Sequence, residues 1–451
     1  MTAEDWSPTS WLGKPAEQSI DYPDPAALAA AVQRLHSLPP LVTSWEIERL
    51  RQRLAEAALG KRFLLQGGDC AETFDSCAPD QITNKLKILL QMSLVLSQGI
   101  GKPIIRVGRF AGQYAKPRTS LTETIGGETL PSYFGDLVNS PGFTPEARRP
   151  DPQRLLDGYA HASMTLNFIR ALMSGGFADL HHPEYWDLAF LERGNLAPAI
   201  RDAYLAIRGS IASSIDFIER ICETPINELH RVEFYTSHEG LHLPYESALT
   251  RRVPRREGHY NLGCHLPWIG ERTRQADGAH IEYFRGIRNP LGVKIGPKAT
   301  PDELLRLADT LDPGAEPGRL LLICRFGAGK VEAALPPLLE AMRASGRRPV
   351  WVCDPMHGNT ITTASGRKTR PFESIAREVQ LTIDLHRAAG SVLGGVHFEL
   401  TGDKVAECIG GASQVTEADL ASGYESPTDP RLNYEQSMEL AFAISERMNR
   451  G

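Results

Sequence analysis

Cys70, His357, Glu399 and Asp429 are the residues of this chain best suited to hold a divalent cation. The first three end or closely follow short apolar runs, RFLLQGGDC, VWVCDPMH and SVLGGVHFE, and the fourth sits in the loop TDPRLN. One soft thiolate, one imidazole and two carboxylates form a mixed donor set. Such a set suits a catalytic Mn²⁺, Co²⁺, Zn²⁺ or Fe²⁺ better than a closed structural zinc site. Each residue alone has a plainer reading. Cys70 reads as a small buried hydrophobe, Asp354-Pro-Met-His357 as a turn with a capping Asp, and Glu399 as the partner of an arginine.

A second group is basic: Arg109, Lys116, Arg118, Arg272, Lys294, Arg325 and Lys368. All lie at the ends of apolar runs or in the loops just beyond. One such residue is ordinarily a solvated surface charge. Seven gathered at one place would repel unless an anion neutralised them, and the planar fork of Arg suits carboxylate or phosphate. Lys294, inside GVKIG, reads either as half of an ion pair or as a substrate ligand.

The elements that must gather these residues are eight short apolar runs. They end at Cys70, Arg109, Glu239, Trp268 (with Glu271 and Arg272 just beyond), Lys294, Arg325, Asp354 with His357, and Glu399. Gly or Pro follows most of them, and most intervening segments read as helix. Eight strand–loop–helix units predict an α/β fold, a (β/α)8 TIM barrel with its site at the strand C-termini. Parity points His397 and Glu399 into the barrel and Val396, Phe398 and Leu400 toward the helices. Cys353 is expected to pack in the wall.

A barrel takes about 250 residues, so the chain has room for additions. Residues 1–60 are expected to form an N-terminal helical extension and residues 61–451 the barrel domain, with a helical insertion at about 140–228, after strand two. Asp24-Pro25 opens one helix of the extension, Thr43 or Ser44 caps the other, and Gly60 stops it. The insertion should hold a helix from Pro152 to Met173, a turn at HHPEYW and helix near 197–224. The segments NKLKILLQMSLVLSQGI and NYEQSMELAFAISERM also read as helices, the first packing Leu86, Leu89, Leu90 and Leu94 on the barrel.

With 49 Lys+Arg against 55 Asp+Glu, the net charge of -6 argues against general nucleic-acid affinity. No apolar run approaches the ~20 residues of a membrane span, and the start lacks the pattern of a secretory signal. Seven cysteines without a C-x-x-C pair point away from a disulfide framework and toward the cytoplasm. The run RFGAGKVE imitates a phosphate-binding loop, but Cys324 stands where its first Gly belongs and Val331 where Ser or Thr belongs.

The motifs GGDCAE, VGRFAGQYAKPR, WIGERTRQADGAHIEYFRGIRNPLGVKIGPK, DPMHGNT, KTR, GGVHFELTGD, ECIGG and DPRLN occur in an order that resembles type II 3-deoxy-D-arabino-heptulosonate-7-phosphate synthases, nearly end to end. That resemblance implies condensation of phosphoenolpyruvate with erythrose 4-phosphate, the entry to the shikimate pathway. It implies one divalent metal ion, Mn²⁺ or Co²⁺ first and Zn²⁺, Fe²⁺ or Mg²⁺ as alternatives, held by Cys70, His357, Glu399 and Asp429. It assigns Arg109, Glu271, Arg272, Lys294 and Arg325 to phosphoenolpyruvate, and Lys116, Arg118 and Lys368 to the sugar phosphate. Cys70, Lys294 and His357 are the expected catalytic residues. A homo-oligomer, dimer or tetramer, inhibited by aromatic amino acids is expected, with no nucleic-acid or membrane partner. Two departures stand out: Phe134 where the family pattern has Arg, and Gly327-Ala328-Gly329 after Arg325. The alternatives are a related synthase acting on a longer aldose phosphate, such as arabinose 5-phosphate, and a catalytically silent effector-binding barrel.

Overall fold

The computed structural model describes residues 6–177, 198–222 and 232–450. The eight runs become strands β1 (Phe63–Gly68), β2 (Ile104–Arg109), β3 (Tyr235–Glu239), β4 (Leu266–Ile269), β5 (Leu291–Ile295), β6 (Leu320–Cys324), β7 (Val350–Cys353) and β8 (Leu393–Glu399). They close into one barrel in the order β1-β8-β7-β6-β5-β4-β3-β2. Every neighbouring pair is parallel, so this is the expected (β/α)8 barrel.

Alternation along the strands explains both core and site. Phe63, Leu65, Ile104, Val293, Leu322, Val396 and Phe398 face outward and share one apolar cluster with the helices. Leu64, Ile105, Leu266, Leu321 and Val350 face inward at the strand starts. Further up the same inward rows stand Gln66, Arg109, Lys294 and Glu399, all buried. The expected parity of β8 holds, and Cys353 lies in the wall, its Sγ 3.5 Å from Thr382 Oγ1 on a covering helix.

The floor of the barrel is sealed from outside. Helix α1 (Pro25–Ser37) starts at Asp24, whose side chain accepts from the Ala26 and Ala27 amides. Helix α2 (Ser44–Ala58) starts at Thr43, not Ser44, in a reciprocal capping box with Glu46. Its Leu50, Leu54 and Ala57 enter the inner cluster beside Leu64, Leu266 and Val350. Each fully buried leucine there contributes about 1.5–3 kcal/mol. Gly60 has φ +72°, the left-handed stop expected after α2.

Helix α3 (Pro79–Ile100) begins at Pro79 and is buried around most of its girth, because it lies between the barrel and the last helix. Helix α4 (Gln153–Ser174) packs against α1. Helix α5 spans Pro198–Cys222, and the turn expected at 181–186 lies outside the described residues. Downstream come α6 (Leu243–Ala248), α7 (Ala279–Arg285), α8 (Pro301–Leu311), α9 (Val331–Ala344), α10 (Phe372–Ala388) and α11 (Tyr434–Asn449).

Three hairpins lie outside the barrel where the sequence reads as loop or strand, one of them pairing Ile361–Thr362 with Lys368–Thr369. Thr122–Ile125 pairs antiparallel with Glu128–Pro131 across Gly126-Gly127, both at positive φ. Thr250–Arg252 pairs with His259–Asn261, so the run YNLGCHLPW is two elements. It breaks after Asn261, whose side-chain oxygen accepts the Gly263 amide at 2.8 Å.

Candidate active site

The C-terminal ends of the strands surround a cavity of about 170 Å³. Cys70, Arg109, Lys116, Glu271, Arg272, Lys294, Arg325, His357, Lys368, Glu399 and Asp429 all line it. Of the expected site residues only Arg118 does not; its guanidinium pairs with Glu123. Strand register sets the convergence. Gly68 pairs with Glu399 on one side and Arg109 on the other. Gly68 itself has φ +145°, and a Cβ there would meet the Arg109 carbonyl oxygen at 2.8 Å, so only glycine allows this approach.

One half of the cavity gathers donors. The ligand atoms of Cys70, Glu399 and Asp429 all lie within 4.8 Å of one another, the only such group of at least three found among the described residues. His357 Nε2 is 3.0 Å from Glu399 Oε1. The other ring nitrogen, Nδ1, lies 2.8 Å from Asp354 Oδ2. That carboxylate fixes the tautomer with Nε2 facing the cluster, the usual support of a metal-bound imidazole. Asp354 also accepts the Met356 amide at 3.0 Å, so it caps the turn as well. A soft thiol, an imidazole and two carboxylates are a fitting donor set for a divalent transition-metal ion. Burial, with Glu399 nearby, pushes the Cys70 thiol up to about 12, so a strong adjacent cation is needed to hold it as thiolate.

Positive charge brackets these donors. Lys116 Nζ bonds both Cys70 Sγ and Asp429 Oδ2, and Lys368 Nζ reaches Asp429 Oδ1 at 3.0 Å. Glu399 is held by Arg109 at 3.0 Å and by the fully buried Arg370 at 2.7 Å. Against the cost of burial, His357, Arg370 and Arg109 keep its carboxyl well below the usual range. The salt-bridge reading of Glu399 and its place in the donor cluster therefore hold together.

The other half is basic, lined by Arg109, Arg272, Lys294 and Arg325. Lys294 Nζ pairs with Asp354 and lies 5.8 Å from the Trp268 ring, and Arg109 stacks over that ring at 5.2 Å. The ion-pair reading of Lys294 is met by Asp354, and the residue also lines the cavity. Burial lowers its ammonium to about 8. Arg109 donates to His397 Nε2 at 2.7 Å, and His397 Nδ1 faces Gln66 Oε1 at 2.8 Å. Burial, with Lys294 and Arg109 close by, keeps His397 neutral. Arg272 reaches Thr119 at 2.8 Å and stays exposed.

Four buried polar atoms in this cavity have no partner: Arg109 Nε, Arg325 Nε, Glu271 Oε2 and Glu239 Oε1. Buried polar atoms are rarely left so, and their concentration at one mouth marks a ligand site. Glu239, Trp268 and Arg370 are site residues that reading by motif left without a role. Glu239 and Trp268 carried a signal, since both end apolar runs; Arg370 reaches in from the loop before α10.

The imitation phosphate loop is excluded by its own contacts. The Phe326 and Gly327 amides both donate to Glu378 at 2.9 Å, so they are not available to cradle a phosphate. Phe134 is buried, and its carbonyl accepts the Lys116 amide at 2.8 Å. The residue thereby supports the Lys116 loop through its backbone.

The sequence matches the model of the Class-II DAHP synthetase family over residues 6–445. The chain belongs to this family. It is 47% identical to a phospho-2-dehydro-3-deoxyheptonate aldolase of Neurospora crassa, over 98% of this chain and 94% of the relative. It is 48% identical to the Streptomyces coelicolor protein of that name, over 97% and 96% of the two chains. A third relative, from Mycolicibacterium smegmatis and also a phospho-2-dehydro-3-deoxyheptonate aldolase, is 45% identical over 97% and 94%. Members of the class-II DAHP synthetase family are metal-dependent enzymes, and the donor cluster of this chain suits that requirement.

Proposed function

We propose that this protein condenses phosphoenolpyruvate with erythrose 4-phosphate to give 3-deoxy-D-arabino-heptulosonate 7-phosphate and inorganic phosphate. The observation that carries the reading is the convergence, in one cavity, of the donor cluster and an anion-binding half with unpaired buried polar atoms. Relatives named for this chemistry along the whole chain support it.

Arg109, Arg272, Lys294 and Arg325 bind the carboxylate and phosphate of phosphoenolpyruvate, with Glu271 bounding that end. Lys116 and Lys368 attract the phosphate of the aldose. Cys70, His357, Glu399 and Asp429 hold a divalent ion, Mn²⁺ or Co²⁺ in the first instance, which when bound supplies Lewis-acid polarisation of the aldehyde oxygen. The arginine and lysine contacts place C3 of the enol against the aldehyde carbon, and this positioning supplies much of the rate. A carbon–carbon bond forms there, water adds at C2, and the C2–oxygen bond to phosphate breaks. Glu239 is the carboxyl free to exchange a proton with that water: burial raises its pKa, with Lys116 and Lys294 opposing the rise. The basic half stabilises charge on the departing phosphate.

We also propose a cytoplasmic homo-oligomer, a dimer or tetramer, regulated by an aromatic amino acid. Exposed Leu121, Ile125 and Met164 support the assembly, the resemblance of the helical additions to those of longer family members supports the effector, and six described cysteines in free form suit the compartment. No described helix is long and apolar enough to cross a membrane.

The test is loss of phosphoenolpyruvate absorbance on adding erythrose 4-phosphate, with and without Mn²⁺ or Co²⁺. Turnover with arabinose 5-phosphate alone would shift the assignment to a longer-aldose synthase. No turnover with any aldose phosphate and metal would leave a silent effector-binding barrel.

A further inference from the structure

The larger cavity lies outside the catalytic mouth and shares none of its lining residues. It measures about 1320 Å³. Its walls come from the N-terminal segment (Trp6, Lys14), from α2, from α7 and residues 276–278 before it, and from the segments that lead into β4, β5 and β6, so it runs along the flank of the barrel from the floor toward the loop after β4.

Its charges do not balance once pairs are removed. Glu48 and Glu316 are taken by Arg51 at 2.7 Å, Glu316 also by Arg288, and Glu282 by Arg285. Asp309 is taken by Arg347. Among the described residues, Lys14, Arg252, Arg255 and Arg256 line the cavity without an ion pair, against the exposed acids Glu257 and Asp277 and the buried Asp312, whose carboxylate accepts the Glu316 amide at 2.9 Å. Arg319 lines it too, only 5% exposed, and its guanidinium donates to the backbone carbonyls of Asn289 and Phe284 and to no carboxylate. Burial lowers it to about 10. Arg256 stacks on Trp45 at 4.4 Å and leaves its buried Nε without a partner. Arg255, at the hairpin tip, is held at φ +63°, a conformation costly for a residue with a side chain.

We infer that this flank cavity is a second, non-catalytic site for a small polyanion carrying several phosphate or carboxylate groups. The unpaired cations come from a hairpin, the N-terminal segment and the turn before β6. One singly charged group reaches few of them, whereas a polyanion joins them. Planar guanidinium groups favour oxyanions for their paired acceptors.

Calorimetric titration of the full chain with tripolyphosphate, and separately with citrate, tests the site. Saturating phosphoenolpyruvate is present so that the catalytic mouth is filled. The double variant Arg255→Ser/Arg256→Ser removes two cations that hold no ion pair, and its thermal melt checks folding. The expected result is stoichiometric binding of at least one probe, weakened about tenfold or more in the double variant, with both substrate KM values unchanged and binding unaffected by Arg272→Ala in the mouth. The tighter probe assigns the oxyanion. Absence of binding by either probe, equal affinity in the folded double variant, or loss of binding on Arg272→Ala would overturn the proposal.

Discussion

Arg431 donates to Asp69 Oδ1 at 2.8 Å. Asp69 precedes Cys70, and Arg431 lies two residues beyond Asp429, so this contact joins the loops that carry two members of the donor cluster. Lys85 of α3 pairs with the other oxygen of Asp69, and Glu407 takes Arg431 through both carboxylate oxygens. The network is buried and closed, so it fixes the spacing of thiol and carboxylate before any ion arrives.

Replacing Arg431 with Met leaves Asp69 and Glu407 buried with incomplete pairing. A stability loss of about 3–5 kcal/mol is expected, read by urea unfolding. Arg431→Lys keeps the charge without the two-pronged geometry. It should fold and yet bind Co²⁺ about tenfold or more weakly, followed by the visible absorption of the bound ion. Unchanged Co²⁺ affinity in folded Arg431→Lys would refute the spacing role.

Cys70→Ala, or removal of metal with a chelator, is expected to abolish condensation while far-ultraviolet circular dichroism stays native. Re-addition of Mn²⁺ or Co²⁺ should restore the chelated wild type and not the variant. Full activity in a rigorously metal-free preparation would end the assignment of the donor cluster.

The pH dependence should follow Lys294. Burial lowers its ammonium from 10.5 to about 8, with Asp354 opposing and Arg109 and Arg325 assisting. Above pH 8 the free enzyme loses the cation that meets phosphoenolpyruvate, so kcat/KM for that substrate should fall with a midpoint near 8. Lys294→Arg should move the fall to higher pH. Stability takes the opposite sign: the unfolded chain holds this proton up to 10.5, so between about 8 and 10.5 the Lys294 contribution improves as pH rises. A flat kcat/KM profile across this window would count against the role.

The sugar-phosphate trio should divide. Lys116→Met and Lys368→Met are expected to raise KM for erythrose 4-phosphate about tenfold or more, on the order of one charge-assisted contact each. Arg118 points to Glu123, outside the cavity, and Arg118→Ala should change that KM less than threefold, or about 0.6 kcal/mol. Equal effects at all three positions would show that the Arg118 side chain swings in on binding.

The barrel was legible because each strand alternates between two apolar destinations and then presents a chemical residue at its upper end, as Leu64 and Gln66 do below Cys70. The helix starts were legible from local chemistry at Asp24 and Thr43. Spacing said nothing about which distant residues touch. The pairing of Arg370 with Glu399 and of Arg431 with Asp69 depends on loops whose path no short-range pattern specifies. The hairpin at Thr122–Pro131 did carry a signal, the Gly126-Gly127 turn between alternating residues, which the surrounding polar sequence obscured. The division of YNLGCHLPW turned on one side-chain bond, from the Gly263 amide to Asn261, and no periodicity marks it.

Leu64 of β1 lies opposite Gly395 of β8. The ring is therefore shut by the first and last strands made, and β1 meets its second neighbour only when nearly the whole polypeptide has left the ribosome. Until then its edge is open, and α2 has only part of the floor to seal. A nascent chain halted before residue 393 would expose a strand edge and a greasy interior together, the combination that draws chaperones and invites aggregation. For this protein the vulnerable moment is synthesis itself, and late termination should be far more damaging than loss of the first few residues.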